Sequence, residues 1–359
     1  MPYPPSYGGV IDVYFKMKAL SEQGVKIHLH CFEYGRAIAH QLNEICESVN
    51  YYKRKQGMRY LLSPFPYIAV TRSSEELMQN LLKDDYPILF EGLHCCFHLS
   101  DKRLNKRLRL VRTHNVEHDY YEGLARIEQG KFKRMYFKNE GRKLKRFEQV
   151  LSKADRILTI SAADTNYFSS RYKNVTHLPA FHPDEKVRIQ SGRGKFAFYH
   201  GNLEIGENIE AALFLINKVF NGINVPLIIA GKNPPSQLAA AAARFKNIEL
   251  KANISTEEIY QLVKDAQINV LPTFQATGIK LKLLTSLFNG RFCIVNPPMV
   301  NGTGLETLCS VCESDSEMKK EIIHLFERDF DEREIQKREQ ILLENFSNTV
   351  NAKKFLEIL

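Results

Sequence analysis

The sequence predicts an α/β protein built from two Rossmann-like domains with mainly parallel sheets. Strand-like and helix-like segments alternate along almost the whole chain, which is typical of this class. A polar segment without periodicity, residues 179–194, divides the chain and predicts a domain boundary. The length of 359 residues is enough for two hydrophobic cores. No apolar run approaches the length of a membrane span, and no signal peptide is visible.

In the first half, the order of the elements is that of a doubly wound domain with one exception. Helices are predicted over residues 10–23, 37–47, 75–83, 116–127 and 132–152, and after Ser161 as N-cap. Strands are predicted over residues 25–32, 48–52, 88–91, 109–113 and 156–160. The chain opens with a turn-like segment, residues 1–9, where such a domain would have its central first strand. We therefore expect the first strand to be missing and the given start to be internal to a longer chain.

The second half repeats the alternation. Strands are predicted over residues 196–199, 225–230, 248–250, 268–271 and 291–296. Helices are predicted over residues 208–220, 236–245, 316–327 and 332–359, after the capping box at Ser255, and up to Gly290. The expected domains are residues 1–185 and 186–345. Residues 346–359 are expected to pack back on the first domain.

Charge and cysteine content favour a reducing compartment and an anionic partner. The net charge is +9, and residues 1–185 contribute 29 Lys and Arg against 21 Asp and Glu, a net of +8. The excess lies between Lys102 and Arg156 and suits a phosphorylated substrate, an acidic membrane or nucleic acid, although a solvated helical face is the more usual explanation of such a charge run. The seven cysteines form no framework, which fits the cytoplasm. Cys309 and Cys312 form a single pair, and we expect them on a buried strand rather than at a metal.

A glycine-bearing loop opens the helix after the strand at residues 268–271. It contains Thr277 and Gly278, and Lys280 and Lys282 fall in the first helical turn. Unpaired backbone N–H groups, the helix dipole and two ammonium groups together suit a diphosphate. A solvated lysine pair on a packed helix remains the structural alternative.

Three further segments carry polar groups or glycines where a strand meets a helix. Gly8 and Gly9 precede the first helix, and either a phosphate contact or a tight turn explains them. His114, Asn115 and Glu117 follow a strand end, where they bind a ligand or cap the next helix. Gly201 and Asn202 follow the first strand of the second half, at a phosphate-binding turn or a plain turn. The sequence leaves these alternatives open.

Taken in order, these segments resemble glycosyltransferases of the GT-B fold, family-4-like, of the kind that build bacterial polysaccharides. The resemblance covers nearly the whole chain. It rests on YPPSYGG (3–9), RTHNVEHDYY (112–121), KADRILTIS (153–161), HGNLEIGENIEAALFL (200–215) and TGIKLKLLTSLFNGRFCIV (277–295).

The resemblance implies two Rossmann-like domains facing across a cleft and a hexosyltransferase that moves a sugar from a nucleotide-diphosphate sugar to a glycan or lipid-linked acceptor. Such enzymes usually retain anomeric configuration and need no metal or cofactor. By position, His114 and Lys280 would be catalytic, and Asn115 and Glu117 would lie on the acceptor side. The implied donor-binding residues are Gly8, Gly9, Gly201, Asn202, Thr277, Gly278, Lys282 and Thr285. The implied location is cytoplasmic, with peripheral contact to an anionic membrane; no nucleic-acid partner is expected.

The chain departs from the family pattern at three positions. Many relatives carry two glutamates seven residues apart, and the later one holds the nucleotide ribose. Here Gln275 stands near the first place, and Thr285 falls where the ribose glutamate is expected. Asn202 replaces the basic residue often found after the glycine of the first strand of the second domain. Two alternatives therefore remain open: a nucleotide- or glycan-binding protein without turnover, and a sugar-nucleotide epimerase of the same architecture.

Overall fold

The computed structural model describes residues 1–6, 8–274 and 281–359. Its contacts divide the chain into two compact units. Unit 1 contains Met1–Pro183 and Asn345–Leu359, and unit 2 contains the described residues from 184 to 344. The sequence places the two boundaries one or two residues later, after residues 185 and 345. Each unit is described by itself below.

The described residues form helices and parallel strands in alternation, which confirms the predicted α/β class. The helices are α1 (Gly8–Glu22), α2 (Tyr67–Val70), α3 (Glu75–Leu81), α4 (Glu117–Ile127), α5 (Lys131–Phe147), α6 (Ala162–Ser169), α7 (Gly206–Phe214), α8 (Ser236–Ala242), α9 (Thr256–Asp265), α10 (Leu281–Asn289), α11 (Pro297–Val300), α12 (Asp315–Phe326), α13 (Glu332–Phe346) and α14 (Asn348–Leu356). The strands are β1 (His28–Glu33), β2 (Ser48–Lys53), β3 (Ile88–Glu91), β4 (Arg109–Thr113), β5 (Arg156–Thr159), β6 (Val175–His177), β7 (Ala197–Asn202), β8 (Leu227–Lys232), β9 (Ile248–Ala252), β10 (Ile268–Leu271), β11 (Phe292–Val295) and β12 (Ser310–Val311).

Unit 1 contains two separate parallel sheets. One has the strand order β3-β4-β5-β6, and the other is the pair β1-β2. Within the described part of the chain, no strand pairs with the second edge of β1 or of β3.

Helix α1 packs against both sheets of unit 1 and against the end of the chain. Its residues Val13 and Met17 share an apolar cluster with Leu29 of β1. Its Ala19 and Leu20 belong to a second apolar cluster with Leu110 of β4 and with Ala352 and Phe355 of α14. The other buried members of this cluster are Leu158, Leu178 and Phe181. Ser347 accepts a hydrogen bond from the Val350 N–H and so caps α14. The position of α1 places its first turns at the carboxyl ends of β3 and β4.

Unit 2 contains one six-stranded parallel sheet with the order β12-β11-β10-β7-β8-β9. Strand β7 is central, and β10 and β11 are buried along their whole length. Ser255 and Glu258 form the predicted capping box of α9. Because all strands are parallel, the segments after β7, β10 and β11 meet at one edge of the sheet.

Three predicted helices differ from the structure. Residues 37–47 contain only a short 3₁₀ helix, His40–Glu44, so the predicted α-helix is wrong. The predicted helix over 332–359 is two helices, because Ser347 ends the first and caps the second. The helix predicted over 208–220 continues from α7 as a π-helical turn, Leu215–Val219. Cys309 and Cys312 flank the short strand β12 at the sheet edge, and Cys312 is buried.

Candidate functional site

A buried ion pair joins α1 to the end of β4 in unit 1. The Arg112 Nη2 and Nε atoms donate to the two carboxylate oxygens of Asp12 at 2.9 and 3.1 Å, and both side chains are fully buried. Asp12 also accepts from the backbone N–H of Phe181 (2.8 Å), and Arg112 donates to the Leu178 carbonyl (2.5 Å). This bidentate pair connects residues 100 positions apart and fixes the start of α1 over the sheet edge.

A second part of the same network surrounds His114. Lys16 lies 2.7 Å from a Glu91 oxygen and 3.3 Å from Asp12 Oδ2. The His114 Nε2 atom lies 3.4 Å from Glu91 Oε2 and 3.5 Å from Asp12 Oδ2. The predicted residue His114 therefore stands against two carboxylates, and its side chain keeps 11% of its surface exposed.

The network shifts the pKa values of its members in opposite directions. Burial would raise the pKa of Asp12, but Arg112 and Lys16 hold it well below its usual value. Burial also opposes the ionisation of Glu91, and Lys16 and His114 nevertheless lower its pKa. Burial would lower the pKa of His114, but Asp12 and Glu91 raise it. His114 is therefore a cationic donor over a wider pH range than a free histidine.

Asp12, Glu91 and His114 could also be considered as metal ligands, because their ligand atoms lie within 4.8 Å of one another. Lys16 and Arg112 already bond to the two carboxylates and supply the positive charge that a divalent ion would bring. The two carboxylates are therefore engaged in an ion-pair network, whereas the His114 Nε2 atom has no hydrogen-bond partner among the described residues.

The glycines predicted at the start of α1 differ in their surroundings. A methyl group added at Gly9 would lie 3.4 Å from the His114 ring, whereas one at Gly8 would meet nothing within 4 Å. Gly92, which has a φ of 85°, is crowded by two imidazoles: a methyl group there would lie 2.5 Å from His94 and 3.5 Å from His114. Only a residue without a side chain fits at Gly92.

The remaining predicted residues of unit 1 lie beside this cluster. Asn115 is partly exposed in the turn before α4. Glu117 begins α4 and is 9% exposed, and burial raises its pKa to about 6. Asp12, Lys16, Glu91 and His94 were not predicted, although the alternation of polar and apolar residues at the end of β3 and two charges one helical turn apart in α1 were visible signals.

In unit 2, the edge after β7 brings Gly201, Asn208 and Lys282 together. A methyl group at Gly201 would lie 2.9 Å from the Asn208 side chain, so this side chain packs directly on the glycine. Lys282 in the first turn of α10 donates to Asn208 Oδ1 at 3.0 Å and lies 5.0 Å from the Tyr199 ring centre. The side chain of Asn202 accepts from the Glu204 N–H and stays exposed.

Thr273 and His200 border this edge. Thr273 after β10 donates its hydroxyl to Glu207, and its backbone N–H donates to Asn296 Oδ1 at 2.9 Å. His200 lies beside Lys282 and is partly exposed, with its Nε2 atom buried. Desolvation first, and then the lysine charge, lower its pKa to about 3, so it is neutral at ordinary pH. Among the described residues, the site thus has one ammonium group, neutral hydrogen-bonding groups and a carboxylate that is already bonded.

Thr285, one turn after Lys282, contacts a carboxylate that the sequence did not predict. Its hydroxyl lies 3.3 Å from Asp184 Oδ2, and the Asn289 amide donates to Asp184 Oδ1 at 2.8 Å. Asp184 is 2% exposed, and burial raises its pKa. A buried carboxyl group therefore lies next to the position at which a glutamate is missing. Gln275, Thr277, Gly278 and Lys280 lie outside the described residues.

No protein-family model matches the chain. One relative is 27% identical over 322 residues, which are 84% of this chain and 82% of the relative: an uncharacterized 44.6 kDa protein in the cps region of Klebsiella pneumoniae.

Several solved glycosyltransferase structures share the fold. Anabaena HepE, solved in complex with UDP and glucose, has a TM-score of 0.67 and 11% identity and covers 96% of this chain and 95% of its own. A glycosyltransferase from Rickettsia africae has a TM-score of 0.66 and 12% identity, with 98% and 94% covered. TarM has a TM-score of 0.54 and 13% identity, and this chain covers 52% of it. These similarities show that the chain has the GT-B fold, as predicted.

Proposed function

We propose that this protein transfers a sugar from a nucleotide-diphosphate sugar to a glycan or lipid-linked acceptor. The observation that carries the proposal is the position of Lys282, held by Asn208 at the carboxyl edge of β7 and beside Gly201. In an open parallel sheet this edge is where ligands bind. The glycine allows close approach of a phosphate, and the lysine offsets the charge of the diphosphate leaving group.

His114 is the proposed contact to the transferred sugar. Two carboxylates raise the pKa of its imidazole, and the protonated ring can donate a hydrogen bond to a sugar hydroxyl or a phosphate oxygen. Glu117, with a pKa raised to about 6, could accept a bond from an acceptor hydroxyl. We propose a retaining, metal-independent reaction of the hexosyltransferase type, in which protein cations stabilise the leaving group.

The proteins that this chain resembles in sequence or fold also support the proposed transfer function. HepE has been solved with UDP and with UDP-glucose, and a TarM variant with UDP and the glycan fondaparinux. The Klebsiella relative is described by its place in the cps region. We therefore propose a UDP-sugar donor and a role in polysaccharide biosynthesis at a cytoplasmic location.

A donor screen tests the proposal. UDP-, GDP- and CDP-sugars are added to the full chain, and the melting temperature is measured. One donor class should raise it, and Lys282→Met and Lys280→Ala should each weaken that donor by about 1–3 kcal/mol if the ammonium meets the diphosphate in a partly buried site. Lys251→Met, which removes a partly exposed strand lysine paired with Glu249, is the matched control. If no sugar nucleotide shifts the melting temperature, the proposal fails.

A protein that binds the donor without turnover is the second candidate, because Thr285 contributes no carboxylate of its own and is already engaged with Asp184. Release of free UDP on adding acceptor distinguishes the two. Donor binding without nucleotide release under any acceptor would favour the binding protein. An epimerase would instead convert the sugar nucleotide without acceptor.

We also propose that helix α5 contacts an anionic membrane. It carries eight Lys and Arg against one Glu, and Phe132 and Met135 are 88% and 65% exposed at its start. Cationic and apolar groups on one helix suit an anionic lipid surface. No helix in residues 1–6, 8–274 or 281–359 is long and apolar enough to cross a membrane.

Vesicle sedimentation tests this contact. The wild type should bind vesicles with anionic lipid and not neutral ones, and Phe132→Ser with Met135→Ser should weaken binding about tenfold through lost apolar burial. Ile323→Ser, at an exposed apolar position on α12, is the control. Equal binding by the double variant would contradict a role for these residues.

A further inference from the structure

Two arginines in unit 1, one after β2 and one after α2, have no carboxylate partner among the described residues. Arg54 follows β2, and its Nε donates to the Thr71 hydroxyl at 2.9 Å. Arg72 follows Thr71 in the chain, and its side chain donates to the Ile68 carbonyl. Within the described residues, no Asp or Glu oxygen lies within 4 Å of either guanidinium. Each is thus oriented by neutral groups, and the rest of its donors remain available.

The two guanidiniums are also close enough to affect each other. Burial lowers the pKa of Arg54, and the charge of Arg72 lowers it further. The carboxyl group of Glu117 is close enough to Arg72 for its pKa to respond, but burial outweighs that effect and no ion pair joins them. Two half-buried like charges repel each other, and an anion held by both would relieve this repulsion.

Aromatic side chains flank Arg54. The guanidinium carbon lies 4.3 Å from the ring centre of Tyr34 and 5.7 Å from that of Tyr67. Tyr34 is 61% exposed, and neither tyrosine hydroxyl has a hydrogen-bond partner among the residues that the structure describes. Tyrosine rings with open hydroxyls beside guanidinium groups suit a sugar that carries a negative charge.

His94 connects this pair to the cluster around His114. Its ring and the His114 ring both crowd Gly92. Burial lowers the pKa of His94 well below its usual value, and the charges of Arg72, His114 and Arg54 act in the same direction. His94 is partly exposed and makes no hydrogen bond in the described part of the chain, so its neutral ring is open to a ligand.

We propose that Arg54 and Arg72 bind an anionic group of the acceptor, with Tyr34 and Tyr67 against the sugar that carries it. This inference rests on the proposed transfer function and specifies the acceptor class: an acidic saccharide or a phosphate-linked one. A carboxylate and a phosphate offer the same chemistry to a guanidinium pair.

Ligand-observed NMR with the full chain tests the binding directly. The probes are methyl glucuronide, glucosyl phosphate and the neutral methyl glucoside. At least one anionic probe should bind about tenfold tighter than the neutral one, and Arg54→Gln with Arg72→Gln should abolish the difference. Arg54→Lys with Arg72→Lys should keep part of it. A preference for the glucuronide indicates an acidic glycan, and one for the phosphate indicates a phosphate-linked acceptor.

The control variant, Arg126→Gln with Lys173→Gln, removes two exposed charges from the same unit and should bind like the wild type. If it loses as much affinity as the arginine variant, or if the neutral probe binds as tightly as both anionic probes, the proposal is overturned. Donor binding is measured separately by the melting-temperature screen. If no sugar nucleotide raises the melting temperature of the wild type, the transfer function is overturned. If a donor binds but the wild type shows no preference for the anionic probes, only the acceptor class is overturned.

Discussion

The strand-end edges of the two units are built from different chemistry. In unit 1, Asp12, Lys16 and Arg112 form a fully buried charged network around His114. In the described part of unit 2, one ammonium group, that of Lys282, lies among neutral amide and hydroxyl groups. Each buried charge of unit 1 depends on its partners, because a single removal leaves another charge uncompensated. The comparison teaches that the strand-end edges of two parallel sheets can hold a buried charged network in one unit and a single lysine among neutral groups in the other.

The largest expected effect breaks the comparison at Asp12. Asp12→Asn leaves Arg112 and Lys16 buried with one carboxylate fewer, and we expect unit 1 to lose about 3–5 kcal/mol of stability. The chain has no tryptophan, so hydrogen exchange followed by mass spectrometry is suitable, with β4 and β7 as reporters for the two units.

Asp184→Asn in unit 2 is the matched control. Its carboxylate accepts from the uncharged side chains of Thr285 and Asn289, so the loss should be about 1 kcal/mol. Equal losses from the two substitutions would show that the charged network has no special role.

Asp164 sharpens the comparison through pH. It is 6% exposed, one carboxylate oxygen has no partner, and burial raises its pKa to about 6. Its protonated form therefore stabilises unit 1 at low pH, and this contribution is lost as the pH rises through about 6. Asp164→Asn should thus increase the hydrogen-exchange protection of β4 at pH 8 by about 2–3 kcal/mol relative to the wild type. Near pH 4 the protection of β4 should be unchanged. A pH-independent effect would contradict this account.

Lys282 should show the reverse behaviour of Asp12. Lys282→Met is expected to reduce donor affinity by about 1–3 kcal/mol while changing the protection of β7 by less than about 1 kcal/mol. Titration calorimetry with the donor found in the screen gives the first value, and hydrogen exchange gives the second. A large loss of protection would place Lys282 among structural residues.

The smallest expected effect concerns His114. Because Asp12 and Glu91 raise its pKa, the stability it contributes is complete below the unfolded pKa of about 6.5 and is lost as the pH rises through the higher folded value. His114→Gln should remove this loss of stability with rising pH. The protection of β4, measured on both sides of that pH range, tests it; identical profiles would contradict a protonated His114.

Local patterns in the sequence predicted much of the sheet framework. Strands 88–91 and 109–113 and the capping box at Ser255 needed only periodicity and short-range chemistry. Asp12 could not be assigned to Arg112, because their pairing spans 100 positions and depends on how α1 packs. The α-helix predicted over residues 37–47 was wrong because the same apolar spacing also fits a 3₁₀ turn that buries Leu42. The positions of strand ends in the sequence were enough to single out His114 and Lys282 as candidate site residues. The side chains that contact them could not be predicted in the same way.

The split sheet of unit 1 has a consequence for handling the protein. β1 and β3 each present one edge whose backbone N–H and C=O groups pair with no other described strand. Such edges accept an extended peptide, so at high concentration one copy can donate a strand to another. Preparations of this chain should therefore show concentration-dependent self-association that a short extended peptide competing for these edges suppresses.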